Sequence, residues 1–177
     1  MTDRITPDRR SWLMSRIRGG HTKPEWILRC GLHRLGFRYR LGGAGLPGRP
    51  DLVFAKYRTV VFVHGCFWHR HAGCRMASTP KSNQAFWRAK FARNVARDKA
   101  NRRALARLGW SVVVVWECEL YSDPLEVVGQ VASRLRPSPS GRGLYDSVVQ
   151  QLDSRELIRV AEERVRYRLG PRHDPEA

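Results

Sequence analysis

Residues 64–74 read HGCFWHRHAGC. Three histidines, two cysteines and an adjacent Phe-Trp pair share eleven positions. Three chemistries fit such a stretch: a metal centre, proton transfer and an aromatic wedge. A structural zinc site needs about four soft ligands in a tetrahedron. Cys66, His71 and Cys74 supply three, in a C-x4-H-x2-C spacing. Cys118, just after an apolar run at 111–116, is the candidate fourth. The competing reading makes Cys66 and Cys74 core thiols and the histidines a solvated run. Cys30 lies among the apolar positions of a predicted helix and reads as a small buried hydrophobe.

The candidate acids lie upstream. Asp51 ends PGRPD at the entry to a predicted strand, and Glu25 stands at the start of a predicted helix. With His64 they could bind Mg²⁺, a hard cation that also takes phosphate. In phosphodiester hydrolysis such an ion neutralises charge and lowers the pKa of water. A histidine titrates near working pH and can take the proton, and His69, held between zinc ligands, is the candidate general base. The bland alternative is that Asp51 is a turn residue and Glu25 a partner for a helix dipole.

Between Arg70 and Arg107 there are eleven Lys or Arg residues, Lys90 among them, and one acid, Asp98. A face so lopsided suits phosphates, and its binding would weaken steeply with salt. Phe67-Trp68 and Phe86-Trp87 could enter an unstacked duplex as wedges, or could be ordinary core. The net charge of +17 and a pI near 11.1 favour a polyanionic partner, nucleic acid ahead of an anionic membrane. No apolar run has the length of a membrane span or a signal peptide, so a cytoplasmic protein is expected, with cysteines free or metal-bound.

These residues need a scaffold. Hydrophobic residues make up 42% of the 177, enough for a real core. The pattern predicts a helix over 24–36, a loop over 42–50 and strands at 52–54 and 59–63. A long helix or two follow over 84–108, then a buried central strand over 111–116 and a helix over 124–135. That order reads as an α/β fold with a mixed central sheet flanked by helices. Residues 1–136 form the expected domain, with 1–20 as a DNA-binding arm. Residues 137–143, PSPSGRG, read as a linker. Residues 144–177 are a helical or partly disordered extension that could dock on the body or bind a partner.

MSRIRG-x-x-T-x-x-E, PGRPD-x-VF, VFVHGCFWHRH, FW-x-x-K-x-x-x-NV-x-RD and LGWSVVVVWEC together resemble the very-short-patch-repair (Vsr) DNA mismatch endonucleases, from about residue 9 to 135. The resemblance implies a restriction-endonuclease-like fold with a structural Zn²⁺ and Mg²⁺-dependent nicking 5′ of the thymine in a T·G mismatch. Such mismatches arise when 5-methylcytosine deaminates, and the nick leaves a 5′-phosphate. It makes Asp51 the central ligand in a two-metal hydrolysis and His69 the general base. Glu25 and His64 act around the hydrated metals, and Cys66, His71, Cys74 and Cys118 hold zinc. Phe67, Trp68 and Trp87 form the wedge, Lys90 joins the DNA contacts, and Met14 enters from the other groove. Val63 stands where the family pattern has Thr, an exchange that is neutral if the metal is bound through the backbone carbonyl. The HRHAGC loop is one residue longer than the family pattern. The resemblance also implies a monomer linked in function to a cytosine-5 methyltransferase, a repair polymerase and other mismatch-repair proteins. Apart from it, a restriction-like or modification-dependent nicking enzyme, a non-catalytic zinc DNA-binding module and an RNA-binding protein remain open.

Overall fold

The computed structural model describes residues 6, 9, 19–43, 45–136, 150 and 152–169. Met14, most of the expected arm at 1–20 and the expected linker at 137–143 lie outside the described residues. Helix α1 (Lys23–Arg34) begins where Pro24 suits a first turn. The Glu25 side chain reaches back to accept the Thr22 N–H at 3.1 Å, closing that end. Gly36, at φ 84°, ends the segment in the left-handed region. Strands β1 (Arg40–Leu41), β2 (Leu52–Phe54) and β3 (Thr59–His64) follow, with the 3-10 turn Ala55–Tyr57 joining the last two. Next come the short helix α2 (Cys66–His69), the 24-residue α3 (Gln84–Arg107), β4 (Ser111–Trp116), α4 (Glu117–Ser122), α5 (Pro124–Leu135) and α6 (Ser154–Leu169).

The sheet has four strands in the order β1-β2-β3-β4. The first three pair antiparallel, while β3 and β4 run parallel, with His64 opposite Trp116. The architecture is therefore a mixed sheet flanked by helices, as the pattern predicts. Alternate residues of β2 and β3 face opposite layers, as the period of two requires. Leu52, Phe54 and Val61 pack with Ile27, Leu28, Val128 and Val131 from α1 and α5. Val53, Val60 and Phe62 pack with Leu105 of α3 on the other face. Only Phe91 and Leu105 of α3 are buried, so most of that helix faces solvent. The described part of the extension is not a loose tail. Leu152, Leu157 and Ala161 of the α6 segment join the α1–α5 core. No helix among the described residues is long and apolar enough to cross a membrane.

Candidate active site

The parallel pair β3–β4 delivers its carboxyl ends to one edge of the sheet, where β3 ends at His64 and β4 at Trp116. Ligand crevices in open α/β sheets form outside such ends. A cleft of about 870 Å³ opens there, lined by Glu25, Asp51, Val63, His64, Trp68, His69, Asp98 and Glu117 among others. It brings together every acid and histidine proposed above for hydrolysis.

Asp51 enters the cleft from the start of β2. Its Oδ2 accepts the Val63 N–H at 2.7 Å, bridging the antiparallel strands. Burial raises its pKa to about 6, with Glu25 adding to the rise, while the Val63 N–H and Arg29 oppose it. A lone, partly dehydrated carboxylate beside backbone suits Mg²⁺, which takes one or two protein carboxylates and keeps waters and phosphate for its remaining positions.

Glu25 is buried and heavily engaged. Its Oε1 accepts the Thr22 N–H and hydroxyl at 3.1 and 3.0 Å. Its Oε2 accepts the His21 N–H at 2.9 Å and pairs with the Arg29 guanidinium. Each oxygen thus already holds two donors. The structure places Glu25 as a cap and ion-pair partner that shapes the field around Asp51.

His64 and His69 stack with centroids 3.8 Å apart and planes 13° from parallel. His69 Nδ1 lies 2.6 Å from Asp98 Oδ2 on α3. A carboxylate accepts only, so Nδ1 carries a proton, and in the neutral ring Nε2 is then the acceptor. Burial, and then the neighbouring His69, push the His64 pKa down to about 4. It is therefore neutral at working pH.

Asp98 went without a role in the sequence analysis. Its sequence signal is that it stands out by charge, and the structure supplies the rest. It is the one acid in a basic run, and it lies one turn beyond Asn94, whose Nδ2 donates to the Trp68 carbonyl at 3.1 Å. Glu117 was also missed: its Oε1 accepts the Cys66 N–H at 2.7 Å at the start of α2.

The soft ligands gather on the far side of α2. One donor atom each from Cys66, His71, Cys74 and Cys118 lie within 4.8 Å of one another. His71 Nδ1 is 3.6 Å from Cys66 Sγ and 3.2 Å from Cys118 Sγ. Zn–S bonds near 2.3 Å and a Zn–N bond near 2.1 Å give tetrahedral edges of roughly this size, so three thiols and an imidazole nitrogen fit zinc. The His71 ring stacks on Trp116 at 4.2 Å, which fixes its plane. The cluster brings the end of β4 to α2, the helix that carries Phe67, Trp68 and His69.

Phe67 packs on Trp68, Trp87 and Phe91 with centroids 5.0, 5.4 and 5.1 Å apart. Lys90 Nζ stands over the Trp68, Phe86 and Trp87 rings at 5.2 to 5.7 Å. Phe91 is buried, whereas Phe86 is 50% exposed. The two aromatic pairs therefore form one cluster, rooted in the core at Phe91 and open to solvent at its rim.

The family model described as DNA mismatch endonuclease Vsr matches residues 2–75. The chain is 50% identical over 136 residues to the type II nicking enzyme V.XorIIP of Xanthomonas oryzae pv. oryzae, covering 77% of this chain and 96% of that protein. It is 48% identical over 120 residues to the type II nicking enzyme V.NmeAIP of Neisseria meningitidis serogroup A, covering 68% and 85%. It is 47% identical over 85 residues to the DNA mismatch endonuclease Vsr of Escherichia coli, covering 48% and 54%. The chain belongs to the Vsr family of DNA mismatch endonucleases, and it is an endodeoxyribonuclease.

Proposed function

We propose that this chain nicks one strand of duplex DNA, 5′ of the thymine in a T·G mismatch left by deamination of 5-methylcytosine, and leaves a 5′-phosphate. The observation that carries the reading is the pairing of a dehydrated Asp51 with a His69 imidazole oriented by Asp98 in one cleft. The restriction-endonuclease-like fold and a monomeric state belong to the same reading, as does a functional link to a cytosine-5 methyltransferase.

Asp51 and the Val63 backbone carbonyl would hold Mg²⁺, with His64 beside its hydration shell and Glu25, its oxygens already engaged, acting through its charge. When bound, that ion lowers the pKa of water and neutralises charge on the scissile phosphate. His69 Nε2 takes the proton of the attacking water. Asp98 holds the ring in the required tautomer and steadies the imidazolium that forms, the division of labour known from histidine–aspartate pairs in hydrolases. Neutral His64 adds no charge that would repel this cation. The ring cluster of Phe67, Trp68 and Trp87 enters the stack where unstacking costs least, which is at a mismatch. Because α2 carries both wedge and base, a duplex that opens for the rings is also placed at His69.

The nicking enzymes among the relatives favour a second reading, in which the same chemistry acts in another sequence context or without a mismatch. Incubation of Mg²⁺, wild-type protein and an end-labelled T·G duplex tests the chemistry. Wild type cleaves one strand, while Asp51→Ala binds the duplex and does not cleave. Equal cleavage by both would remove Asp51 from the reaction.

A further inference from the structure

Helix α6 lies beyond the residues on which the family motifs fall, and nothing above assigns it a task. It docks antiparallel along α1. Arg34 near the end of α1 meets Glu156 at 2.5 Å, and Lys23 at its start meets Glu162 at 2.6 Å. The later turns of α6 therefore reach the end of α1 that carries Thr22, Pro24 and Glu25 into the cleft.

Charge is sorted along α6. Glu156 and Glu162 are engaged by cations of α1, and Glu163 meets Arg159 at 2.8 Å. Near the cleft end, Arg166 is 77% exposed and reaches Glu162 only at 4.0 Å, a carboxylate that Lys23 already holds. Arg164 stands over the Trp26 ring at 5.6 Å. Two arginines are thus presented at one end of a helix anchored by Leu157 and Ala161, both fully buried. The basic α3 packs on the opposite face of the sheet. The cleft lies between these two layers.

We infer that Arg166, with Arg164 on the other flank of the same helix end, contacts backbone phosphates and holds the duplex on the side of the cleft opposite α3. The ligand is the DNA backbone, since an arginine fork suits phosphate oxygens, and equal effects on matched and mismatched duplexes distinguish it from a base contact. The inference rests on duplex binding and not on mismatch specificity.

The test is the salt dependence of binding to a labelled 30-base-pair duplex, run with and without a T·G pair. Each phosphate contact adds about 0.9 to the slope of log K against log[salt]. Arg166→Gln should lower the slope by about one, and Arg164→Gln with Arg166→Gln by about two, equally on both duplexes. Arg155→Gln, at the far end of α6, should leave it unchanged. An unchanged slope in the Arg166 variant overturns the inference, and so does an equal fall in the Arg155 variant, which would mark a general effect of net charge. Arg166→Gln decides alone if the double variant fails to fold. Slopes that fall without any cleavage of the T·G duplex would uphold this surface and defeat the mismatch reading.

Discussion

His69 Nδ1 sits 2.6 Å from Asp98 Oδ2, so a residue of α2, beside the thiol cluster, is aimed by a residue of the basic helix α3. The His69 ring, the proposed base, is held from both sides, by the α2 backbone and by Asp98 of α3. Asp98→Asn keeps the shape and can present an amide donor to Nδ1, which moves the ring proton to Nε2. Single-turnover nicking should fall by about 10²–10⁴-fold, the range for a general base, while melting and duplex affinity stay near wild type. Nicking within threefold of wild type would show that His69 needs no orienting acid.

Asp51 makes a pH prediction. Its folded pKa is about 6 against an ordinary 3.8, so ionisation is harder in the folded protein. Stability from this group is fullest below pH 4 and declines as pH rises toward 6. Asp51→Asn should therefore raise the metal-free melting temperature at pH 7.5, by a free energy on the order of 2 kcal/mol. The gain should shrink as the buffer approaches pH 4. Mg²⁺ should raise the melting temperature of wild type and not of the variant. A variant that melts below wild type at pH 7.5 would contradict a charge held at a cost.

The thiol cluster predicts a stability effect before a catalytic one. Cys118→Ala should lower bound zinc below one equivalent and cost at least ~2 kcal/mol, because β4 then loses its tie to α2. Strong chelation of wild type should reproduce both effects. Full zinc content in the variant, measured by atomic emission, would exclude Cys118 as a ligand.

Phe91 and Trp68 belong to one ring cluster but should separate in a binding assay. Phe91 is 5% exposed, and its change to Ala should cost about 3–5 kcal/mol of stability. Trp68 lines the cleft, and its change to Ala should weaken binding to a mismatched duplex by about 1–3 kcal/mol with far less effect on a matched one. Equal losses on the two duplexes would mean that Trp68 is packing and not a wedge.

Much of this was legible because period and punctuation agree. Pro24 and Gly36 bracket α1, and the apolar run Val112–Trp116 reads as a strand. It is not the buried central strand expected: among the described residues β4 is the edge of the sheet, with only Val113 and Val115 buried. An apolar pattern does not say which neighbours a strand will have. Helix 124–135 matches its predicted bounds, with Asp123 Oδ1 accepting the Glu126 N–H at 3.0 Å. Strand β1 was not foreseen, because two exposed residues carry no alternation. Short α2 was hidden because four residues cannot display a helical period. Cys118 could be proposed as a fourth ligand because it directly follows the apolar strand run, where a strand end can meet a loop. Asp98 could not be given its role, since its meaning lies in a partner 29 positions away on another element. The docking of α6 was equally hidden: its anchors, Leu157 and Ala161, acquire meaning only against α1 and α5.

Strand-specific nicking tests the central claim most directly. Three end-labelled duplexes of one sequence would carry T·G, T·A or C·G at a single position, each incubated with Mg²⁺ and the full chain. The account predicts one nick, 5′ of the thymine, in the T·G duplex alone, ending in a 5′-phosphate. Cleavage of all three duplexes, or tight binding with no cleavage of any, would contradict it.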